Sequence, residues 1–556
     1  MKRRVKEFKR NKGKSYSYFW IGYQERNAKG TPCFVREINV TGLPLEQIKQ
    51  IDMALRAGAD PMVFKGLVRY QSSVNIGGAW ATLRLCEDLG ICAELEPRLS
   101  GSHFAAVVAM LADRVANAKP QSKLALSRTY PDSALARIMG KREAPLNQWY
   151  TSLDELYANQ GAIEAALIRR ADIGDTVFMY DITSIYFEGT QCPLAKFGYN
   201  RDKKKGKLQI VVGMLTNSEG RPLGVKVFEG NTQDASTVLE RMRQIKAEYK
   251  VGNFIFVGDR GMVTSAVREA VAGLPDCGVD YITALTRQEI MKLANRDERP
   301  LDPSLFDKEL VEFEDSGVRY VLCHNPVRAA EDGATRLRLV EKTEGKLKKL
   351  QEGVAAGRCK KEKVIAKRLH AWLNRWGMGK CFKVDYGEGR FSCERDQARI
   401  DELAKLDGCY VVTTTVDKSL FDAEEVVRRY KSLTWVEQVF RHMKTTDEFT
   451  RPIRHWTDTR VRGHVFMCML AYLVIWQARR SFAAFLERDK KTCMCEGGSL
   501  REIWDALDAG VSIGTVDMAG TMEDHLSIIP QYQKQLLKAI NASINGKEKE
   551  RLGLVG

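Results

Sequence analysis

The spacing of apolar residues separates the chain into stretches of helical and of strand character. From Pro44 to Arg170 apolar residues recur every three or four positions, with Gly or Pro between most runs, which predicts a helical domain over residues 46–170. Before it, two runs rich in β-branched and aromatic residues, 15–23 and 33–40, flank a turn at 27–30 and predict a β-hairpin. The hairpin follows a basic arm, and together they make up residues 1–45.

Residues 171–290 change to an α/β pattern. A strand-like run at 176–187 has one charge at its centre, Asp181. An ionised carboxylate inside such a strand is costly unless it is paired or metal-bound, so Asp181 is a functional candidate. The elements that follow are predicted as strands at 207–215 and 222–228, a helix at 235–249, a strand ending on Asp259, a helix at 264–272 and a strand at 281–285. Three strands, a helix, a strand, a helix and a strand, with acids in the first and fourth strands, form the layout of an RNase H-like α/β domain.

Such folds place a further acid on a later helix, and the stretch from Glu424 to Lys444 is a candidate for it. Its apolar residues recur at helical spacing. The stretch is predicted to be one amphipathic helix, and Tyr430, Glu437 and Lys444, spaced by seven residues or close to two turns each, are predicted to lie on one face of it. Arg441 lies one turn beyond Glu437 and joins them. One acid among a phenol and cations suits the binding of a metal ion and a phosphate, while a surface stripe of ion pairs is the alternative.

An inserted module is predicted between Asp259 and Glu437, which are 178 residues apart. That interval is too long for a loop, so we place an insertion domain at 291–405 and the second part of the catalytic domain at 406–480. The segment 337–376 is charged and helical. Its basic residues include Lys346, Lys348, Lys349, Arg358, Lys360, Lys361, Lys363, Lys367 and Arg368. Such a run is either a solvated helix face or a contact to a polyanion, and its excess of positive charge favours the contact.

The C-terminal part of the chain carries less information. Its most apolar run, 465–476, is much shorter than the ~20 residues that a membrane-spanning helix needs, so it predicts a buried helix. His464 is interpreted as a packing residue of that helix. The pattern beyond 480 predicts a helical C-terminal region, 481–556.

The net charge of the chain narrows the classes of binding partner to be expected. The chain of 556 residues has a net charge of +16 and a pI near 9.2, which favours nucleic acid over a membrane surface. Residues 1–45 and 46–170 are therefore candidates for DNA contact, although the arm is also typical of a solubilising tail and the helices of a structural module. The 13 cysteines include no Cys-x-x-Cys pair, and the N-terminus has no apolar core. We expect reduced thiols in a cytoplasmic protein without a secretory signal.

Three blocks together resemble the DDE transposases of bacterial insertion sequences. They are Tyr-Asp-Ile-Thr-Ser around Asp181, Val-Gly-Asp-Arg-Gly-Met around Asp259, and the Tyr430-x6-Glu437-x6-Lys444 spacing. Blocks at 198–202, 229–234 and 451–455 are also similar to the family, so the resemblance covers most of the chain. The branch in question has a Tyr, Arg, Glu and Lys signature and an insertion before the catalytic Glu.

One position departs from that signature. The family's Arg lies three residues after the Tyr, and this chain has Leu433 there. The phosphate-holding role of that Arg is either lost or has passed to Arg441 or Arg428. Tyr430 and Lys444 keep the positions that would hold a phosphate near the cleavage point, with Lys as a point charge.

The resemblance implies the chemistry and the partners. A pair of Mg²⁺ ions, with Mn²⁺ as a substitute, would be held by Asp181, Asp259 and Glu437. Water would free a 3′-hydroxyl at a terminal inverted repeat, and that hydroxyl would then attack the target strand. The partners would be double-stranded DNA and a second copy of the chain, one protomer per transposon end, in the bacterial cytoplasm without a membrane. Arg441 and Arg260 are further candidates for DNA binding.

Transposases of this branch are associated with a DNA hairpin at the transposon end, which requires a base to leave the stack. Trp372 and Trp376, one turn apart in the insertion, are candidates for stacking on that base. The alternative is that both belong to the core of the insertion. Trp435 ranks lower, because its position two residues before Glu437 points it away from the catalytic face.

Two other classes of function fit part of the pattern. An RNase H-like nuclease or Holliday-junction resolvase would use the same acids but would not need so large a basic insertion. A non-enzymatic DNA-binding regulator would explain the charge but not the strands that carry acids. Terminal inverted repeats and short target duplications around the gene would favour transposition over both.

Overall fold

The protein divides into two compact units. One combines Met1–Arg170 with His442–Gly556, and the other is Ala171–Arg441. The structure, a computed structural model, describes residues 3–12, 14–27, 30–56, 68–140, 144–171, 177–199, 201, 206–251, 253–272, 278–294, 310–376, 378–445, 450, 453–486, 499–518, 521–552 and 554. The family-like blocks at 198–202 and 451–455 lie partly outside the described residues, at 200, 202, 451 and 452.

The described elements alternate between strand-rich and helix-rich stretches. The strands are β1 Arg3–Lys12, β2 Lys14–Arg26, β3 Pro32–Asn39, β4 Val68–Asn75, β5 Val177–Tyr186, β6 Gln209–Asn217, β7 Pro222–Glu229, β8 Phe254–Gly258, β9 Val279–Ala284, β10 Leu310–Asp315, β11 Val318–His324, β12 Phe382–Gly387, β13 Arg390–Arg395, β14 Cys409–Thr414, β15 Ser512–Met518 and β16 Thr521–Leu526. The α-helices are Leu45–Arg56, Gly77–Asp88, Ile91–Leu95, Gly101–Ala116, Lys123–Thr129, Ala134–Met139, Leu146–Ala158, Gln160–Arg170, Asp234–Ala247, Ser265–Ala272, Arg287–Ala294, Pro326–Ala355, Glu362–Trp376, Gln397–Ala404, Ala423–Lys431, Thr434–Thr445, Asp458–Ser481, Ala483–Leu486, Leu500–Gly510, Gln531–Ala539 and Gly546–Arg551. Short 3₁₀ turns lie at Tyr130–Asp132 and Gly379–Cys381.

The basic arm at the N-terminus is itself a strand. β1 pairs antiparallel with β2, and β2 pairs with β3, so the predicted hairpin is extended to a three-stranded sheet. Contacts across the sheet hold the charged strand: the guanidinium of Arg36 lies 4.1 Å from the centroid of the Phe8 ring. Helix Leu45–Arg56 packs its apolar side against Ile21 and Val40 of this sheet region. The arm is therefore ordered by strand pairing.

The most apolar stretch forms helix Asp458–Ser481 in the interior of the first unit. It packs against Leu146–Ala158 and Gly101–Ala116. A Cβ atom on Gly463 would lie 2.0 Å from the Leu153 carbonyl oxygen, so this close approach of two backbones requires glycine. In the described part of the chain it is the one helix long and apolar enough to cross a membrane, and 78% of its apolar window is buried inside the protein, as in a core helix.

Strands from the two ends of the chain pair with each other in the first unit. β15 lies between β16 and β4, with Ile513 opposite Val74. The prediction that 46–170 and 481–556 are helical is therefore wrong at β4, β15 and β16. These strands are stabilised by hydrogen bonds to partners far away in the sequence, and local apolar spacing does not show such partners.

An eight-stranded sheet forms the centre of the second unit, in the order β10-β11-β14-β9-β8-β5-β6-β7. β8 is parallel to both β5 and β9, and the other neighbouring pairs are antiparallel. β6 is buried from Gln209 to Thr216 and β8 along its whole length, which is the pattern of strands covered on both faces. From β5 to β9 the elements follow the predicted order of three strands, a helix, a strand, a helix and a strand.

A long helical hairpin lies between β11 and β14. Helix Pro326–Ala355 begins at Asn325, whose side chain caps it by accepting a hydrogen bond from a backbone N–H. Its 30 residues span about 45 Å. Helix Glu362–Trp376 and the β12–β13 hairpin pack on it around a core that includes Leu347, Leu350 and Ile365. β10 and β11, which the sequence places in the insertion, extend the eight-stranded sheet.

The helix predicted from 424 to 444 is broken in two. Ala423–Lys431 and Thr434–Thr445 are separated by a two-residue turn. The Ser432 hydroxyl donates to a backbone carbonyl one turn earlier, a bond that competes with the regular helical pattern. The prediction of a single helical face for Tyr430 and Glu437 is therefore wrong, because they lie on successive helices.

Candidate active site

Two of the predicted acids sit next to each other on parallel strands. In the pairing of β5 with β8, Tyr180 lies opposite Gly258, and Asp181 and Asp259 are the residues that follow on each chain. Neighbouring strands are about 4.8 Å apart, so the register brings the two acids together at the carboxyl end of β8. Asp181 is half-buried and Asp259 is exposed. The strand signals in the sequence were sufficient to find this pair.

Glu437 and Tyr430 line the same cleft as the two aspartates, which we call the acidic cleft. Its volume is about 790 Å³. The Tyr430 hydroxyl donates a hydrogen bond to Asp259 Oδ1 at 3.3 Å. Glu437 is exposed near the start of helix Thr434–Thr445. The predicted acids and the Tyr therefore share one cleft, although the helix that was expected to align them is broken.

The acids make ionisation of Asp181 unfavourable. The pKa of Asp181 is raised to about 7, first by burial and then by the negative charges of Asp259 and Glu437. Two contacts oppose this rise: the Ile182 N–H donates to Asp181 Oδ1 at 2.7 Å, and Arg201 contributes its positive charge. A cluster of carboxylates that repel one another's charge is stabilised by a cation.

Tyr430 remains a hydrogen-bond donor at neutral pH. Its pKa is raised by burial and then by the charge of Asp259, while the charge of Arg260 opposes the rise. A protonated phenol donates to the carboxylate rather than repelling it. The hydroxyl therefore fixes the orientation of Asp259 without adding charge to the cleft.

Gly198 and Arg201, in the described part of one family-like block, contact the block at 229–234, and the charge of Arg201 acts on Asp181. Arg201 donates to Asp234 Oδ2 at 2.5 Å. A Cβ atom on Gly198 would lie 2.0 Å from the Gly230 carbonyl oxygen, so this packing requires glycine. Sequence reasoning missed Arg201 as a site residue because its proximity to Asp181 results from the path of the chain between β5 and β6.

Exposed aromatic rings adjoin this contact. Tyr199 is 81% exposed and Phe197 is 67% exposed. The Arg201 guanidinium lies 5.5 Å from the centroid of the Tyr199 ring. Large exposed rings beside a cation form a surface on which bases can stack, and the sequence analysis did not single them out.

The cations that line the acidic cleft are not those that the sequence suggested. Arg328, in the first turn of the long insertion helix, and Lys431 both line it, as does Leu433. Arg428 is held in an ion pair on its own helix, and Arg441 is exposed. Neither is among the described residues that line the cleft. No local signal pointed to Arg328, because the fold of the insertion brings it to the acids.

The remaining residues that the sequence predicts to contact DNA lie in different parts of the structure. Arg260 is exposed beside the cleft, and Lys444 is half-buried near the end of its helix and belongs to the first unit. Trp372 is half-buried and packs against the core of the insertion. The side chain of Trp376 lies outside the described residues. Trp435 is 46% exposed.

The donor atoms of the cleft fit an oxygen-preferring divalent cation. Carboxylates and water are the ligands of Mg²⁺, whereas Zn²⁺ sites use sulfur or imidazole. In the described part of the chain no group of three or more His, Cys, Asp or Glu side chains is arranged closely enough to hold a metal ion as it stands. A metal site built from Asp181, Asp259 and Glu437 would therefore require their carboxylates to come closer together than they are here. The raised pKa of Asp181 is consistent with a site that a cation completes.

Comparison with known families identifies the family of the chain. A family model described as a transposase DDE domain matches residues 172–474, more than half of the chain. The chain belongs to the DDE transposase family. It is accordingly a DNA-binding enzyme that cleaves and joins DNA, and domains of this family generally use divalent metal ions. The match includes β5, β8 and the helices that carry Tyr430 and Glu437.

Comparison with solved structures gives no further support for assigning this transposase to its family. The structure of a piggyBac transposase synaptic complex with hairpin DNA matches at 10% identity, with a TM-score of 0.33, over 81% of this chain and 79% of that one. A TM-score this low carries no argument about the present fold. No curated protein matches the chain.

Proposed function

We propose that this transposase binds the terminal inverted repeats of an insertion sequence, cuts the DNA beside them and joins the freed 3′-hydroxyl to a target strand. The observation that carries the proposal is the acidic cleft, which Asp181, Asp259 and Glu437 line together and in which the Tyr430 hydroxyl donates to Asp259. The carboxylates can hold a cation, and Arg328 and other basic groups close by can hold a phosphate. Such a combination suits in-line displacement at a phosphodiester.

The catalytic core is, in this proposal, an RNase H-like domain formed by residues 171–290 and 406–480. The strand order β7-β6-β5-β8-β9 supports it, because β5 and β8, the first and fourth of these strands in chain order, lie side by side and bring their acids together. The insertion, 291–405, contributes the helical hairpin. Residues 1–45 and 46–170 bind DNA, and 481–556 complete the first unit.

The three acids would hold two Mg²⁺ ions, or Mn²⁺ as a substitute. When bound, the ions activate the attacking oxygen and stabilise the leaving one. Other residues of the chain act by positioning the acids and by placing charge near them. Tyr430 orients Asp259 through its 3.3 Å hydrogen bond, and Arg201 places a positive charge near Asp181. Asp181, whose pKa is raised to about 7, gives up its proton readily once positive charge enters the cleft.

The scissile phosphate is held by the cations of the cleft. Arg328 can donate two parallel N–H groups to a phosphate, and Lys431 acts as a point charge. Both supply the positive charge that Leu433 cannot. Arg260, Arg441 and Lys444 are proposed to contact the DNA backbone next to the cleavage point.

The insertion is proposed to extend along the DNA, away from the cleavage point. Its exposed Lys and Arg residues cluster where helix Pro326–Ala355 turns into Glu362–Trp376, at the end opposite Arg328. A length of about 45 Å corresponds to about 13 base pairs at 3.4 Å each. A hydroxyl-radical footprint should therefore show protection that far from the cut and lose it when Lys360 and Lys361 are neutralised. Unchanged protection would remove the insertion from the interface.

The second strand is proposed to be cut through a hairpin with one base turned out of the stack. Trp372 and Trp376 remain candidates for stacking on that base, and the exposed Tyr199, whose ring lies beside the Arg201 guanidinium, is a third. Stacking offsets the few kcal/mol that extrusion of a base costs. The assembly would contain two protomers, one for each transposon end, in the bacterial cytoplasm.

The experiment that tests this function is strand cleavage and joining in vitro. A labelled duplex that ends in the terminal repeat is incubated with the protein, Mg²⁺ and a target plasmid. The proposal requires a nick at the repeat end, followed by a labelled product joined to the plasmid. A nuclease or resolvase would nick without joining, and a regulator would bind the repeat and leave both strands intact.

A further inference from the structure

A second pocket, within the first unit, is lined by basic groups; we call it the basic pocket. Its volume is about 420 Å³. Five of its described residues carry or can accept a positive charge: Arg114, Lys123, Arg454, His455 and His464. The other described lining residues are Pro120, Gln121, Ser122, Tyr150 and Thr450, so no carboxylate is among them.

The hydrogen bonds of His464 define how Lys123 is held. One ring nitrogen of His464, Nε2, faces the Thr450 carbonyl oxygen at 3.0 Å and must therefore carry the proton. The other, Nδ1, is then an acceptor, and the Lys123 ammonium donates to it at 3.1 Å. A lysine has three N–H donors, and this contact uses one of them. Lys123 is 9% exposed, so its charge is held away from bulk water.

The positive charges of the pocket oppose one another. The pKa of Lys123 is lowered to about 7 by burial and then by Arg114. The pKa of His455 is lowered to about 3 by burial and then by Lys123, and that of His464 is lowered for the same reasons. All three groups are thus in surroundings that favour loss of a proton and gain of an anion.

The carboxylate of Asp113, whose charge acts on Lys123, accepts hydrogen bonds from other groups. The donors are Asn117 Nδ2 at 2.9 Å and the Gln121 N–H at 2.7 Å. Asp113 is not among the described residues that line the pocket. A buried ammonium whose described hydrogen-bond partner is a neutral imidazole is a costly arrangement, and a packing role would be served better by an apolar side chain.

The pocket is accessible from the surface. Arg454, which lines it, is exposed, and Trp456, two residues further along the chain, is 72% exposed. An exposed guanidinium in a cationic pocket, with an exposed ring two residues further along the chain, matches the chemistry of a nucleic acid strand, which offers phosphates and stacking surfaces together. A free anion would use the buried donors only, whereas DNA would use the exposed groups as well.

We propose that the basic pocket binds a phosphate-type oxyanion, and that in the DNA complex the occupant is a backbone phosphate. Lys123 supplies a buried N–H donor, Arg454 an exposed guanidinium and Tyr150 a hydroxyl. The site is separate from the acidic cleft, so its occupancy does not depend on cleavage. It gives His464 a role beyond packing, because the ring holds Lys123 in position.

The first test uses inorganic phosphate and thermal unfolding of the full chain. Phosphate should raise the midpoint of unfolding of the unmodified protein, since a ligand that binds only the folded state stabilises it. Lys123→Met should fold and lose that rise, whereas Lys119→Met, at an exposed lysine four positions earlier, should keep it. Arg454→Gln serves as a second variant at an exposed position, in case Lys123→Met does not fold, and should weaken phosphate binding several-fold.

The second test distinguishes DNA from free phosphate. The logarithm of the affinity for terminal-repeat DNA is measured against the logarithm of salt concentration, whose slope reports the number of phosphates contacted. Lys123→Met and Arg454→Gln should each reduce the slope by about one phosphate relative to Lys119→Met. An unchanged slope with intact phosphate binding would overturn the DNA assignment. No response in either test would overturn the site itself, whether or not the protein cuts DNA.

Discussion

The hydroxyl of Tyr430 donates a hydrogen bond to Asp259 Oδ1 at 3.3 Å, and so connects helix Ala423–Lys431 to the end of β8. The bond leaves the second oxygen of the carboxylate for another partner. Because the pKa of Tyr430 is raised, the phenol keeps its proton at every pH at which the enzyme would work. We therefore regard Tyr430 as a residue that positions Asp259.

Replacing Tyr430 by Phe should slow cleavage about tenfold, since one hydrogen bond to a charged group is lost. The affinity for DNA should change little, because the phenol adds no charge. Single-turnover nicking and equilibrium binding measure the two effects separately. Tyr386→Phe, in the insertion, is the matched control. A loss of affinity with an unchanged cleavage rate would show instead that Tyr430 holds DNA.

The raised pKa of Asp181 predicts how stability depends on pH when divalent ions are removed. The folded pKa of about 7 lies above the ordinary value of 3.8, so the stability linked to this group is present at low pH and is lost as pH rises towards 7. Relative to Asp181→Asn, the unmodified protein should lose on the order of 2–3 kcal/mol of unfolding free energy between pH 4 and pH 7. Denaturant titrations in EDTA measure this difference, and a difference that is constant with pH would contradict the assignment.

Arg328 is predicted to act in cleavage although it lies in the insertion. Arg328→Gln should lower the rate of nicking by tenfold to a hundredfold, because a bidentate contact to the scissile phosphate is removed. Arg338→Gln, at an exposed position on the same helix, should be close to neutral. Equal effects of the two substitutions would mean that the insertion acts through its overall charge and not through Arg328.

The yield of DNA hairpin should show which of the candidate aromatic residues stacks on the extruded base. Trp372→Ala and Trp376→Ala are expected to nick the first strand but to yield less hairpin on a denaturing gel, and Tyr199→Ala tests the exposed ring beside Arg201. Because Trp372 packs against the core of the insertion, its variant also requires a check of thermal stability. A normal yield of hairpin from all three variants, and from the double tryptophan variant, would exclude these rings from stacking.

The sequence predicts those parts of the site that depend on local pattern. Asp181 stands out as a charge within an apolar strand, and Asp259 follows a buried strand, so strand pairing alone brings them together. The break at Ser432 was not predictable from apolar spacing, which runs through it without interruption. Arg328 reaches the acids only through the fold of the insertion.

Long-range pairing accounts for the errors in the fold. β4 and β15 come from opposite ends of the chain, and neither has a strong strand pattern of its own. β10 and β11 fall within the insertion predicted at 291–405 from the 178-residue interval between Asp259 and Glu437, yet they pair onto the central sheet through β14. In each case the hydrogen-bond partner that stabilises the strand lies outside the window in which a pattern can be read.

If Asp181, Asp259 and Glu437 form one catalytic centre, removing the charge of any one should stop cleavage without weakening binding. Asp181→Asn, Asp259→Asn and Glu437→Gln keep the shape of each side chain and remove its charge. Each variant is assayed for nicking of a labelled terminal-repeat duplex in Mg²⁺ and for affinity to the same duplex. All three should abolish nicking and leave the affinity within a few-fold of that of the unmodified protein. Nicking at the normal rate by any one of them would remove that residue from the catalytic centre.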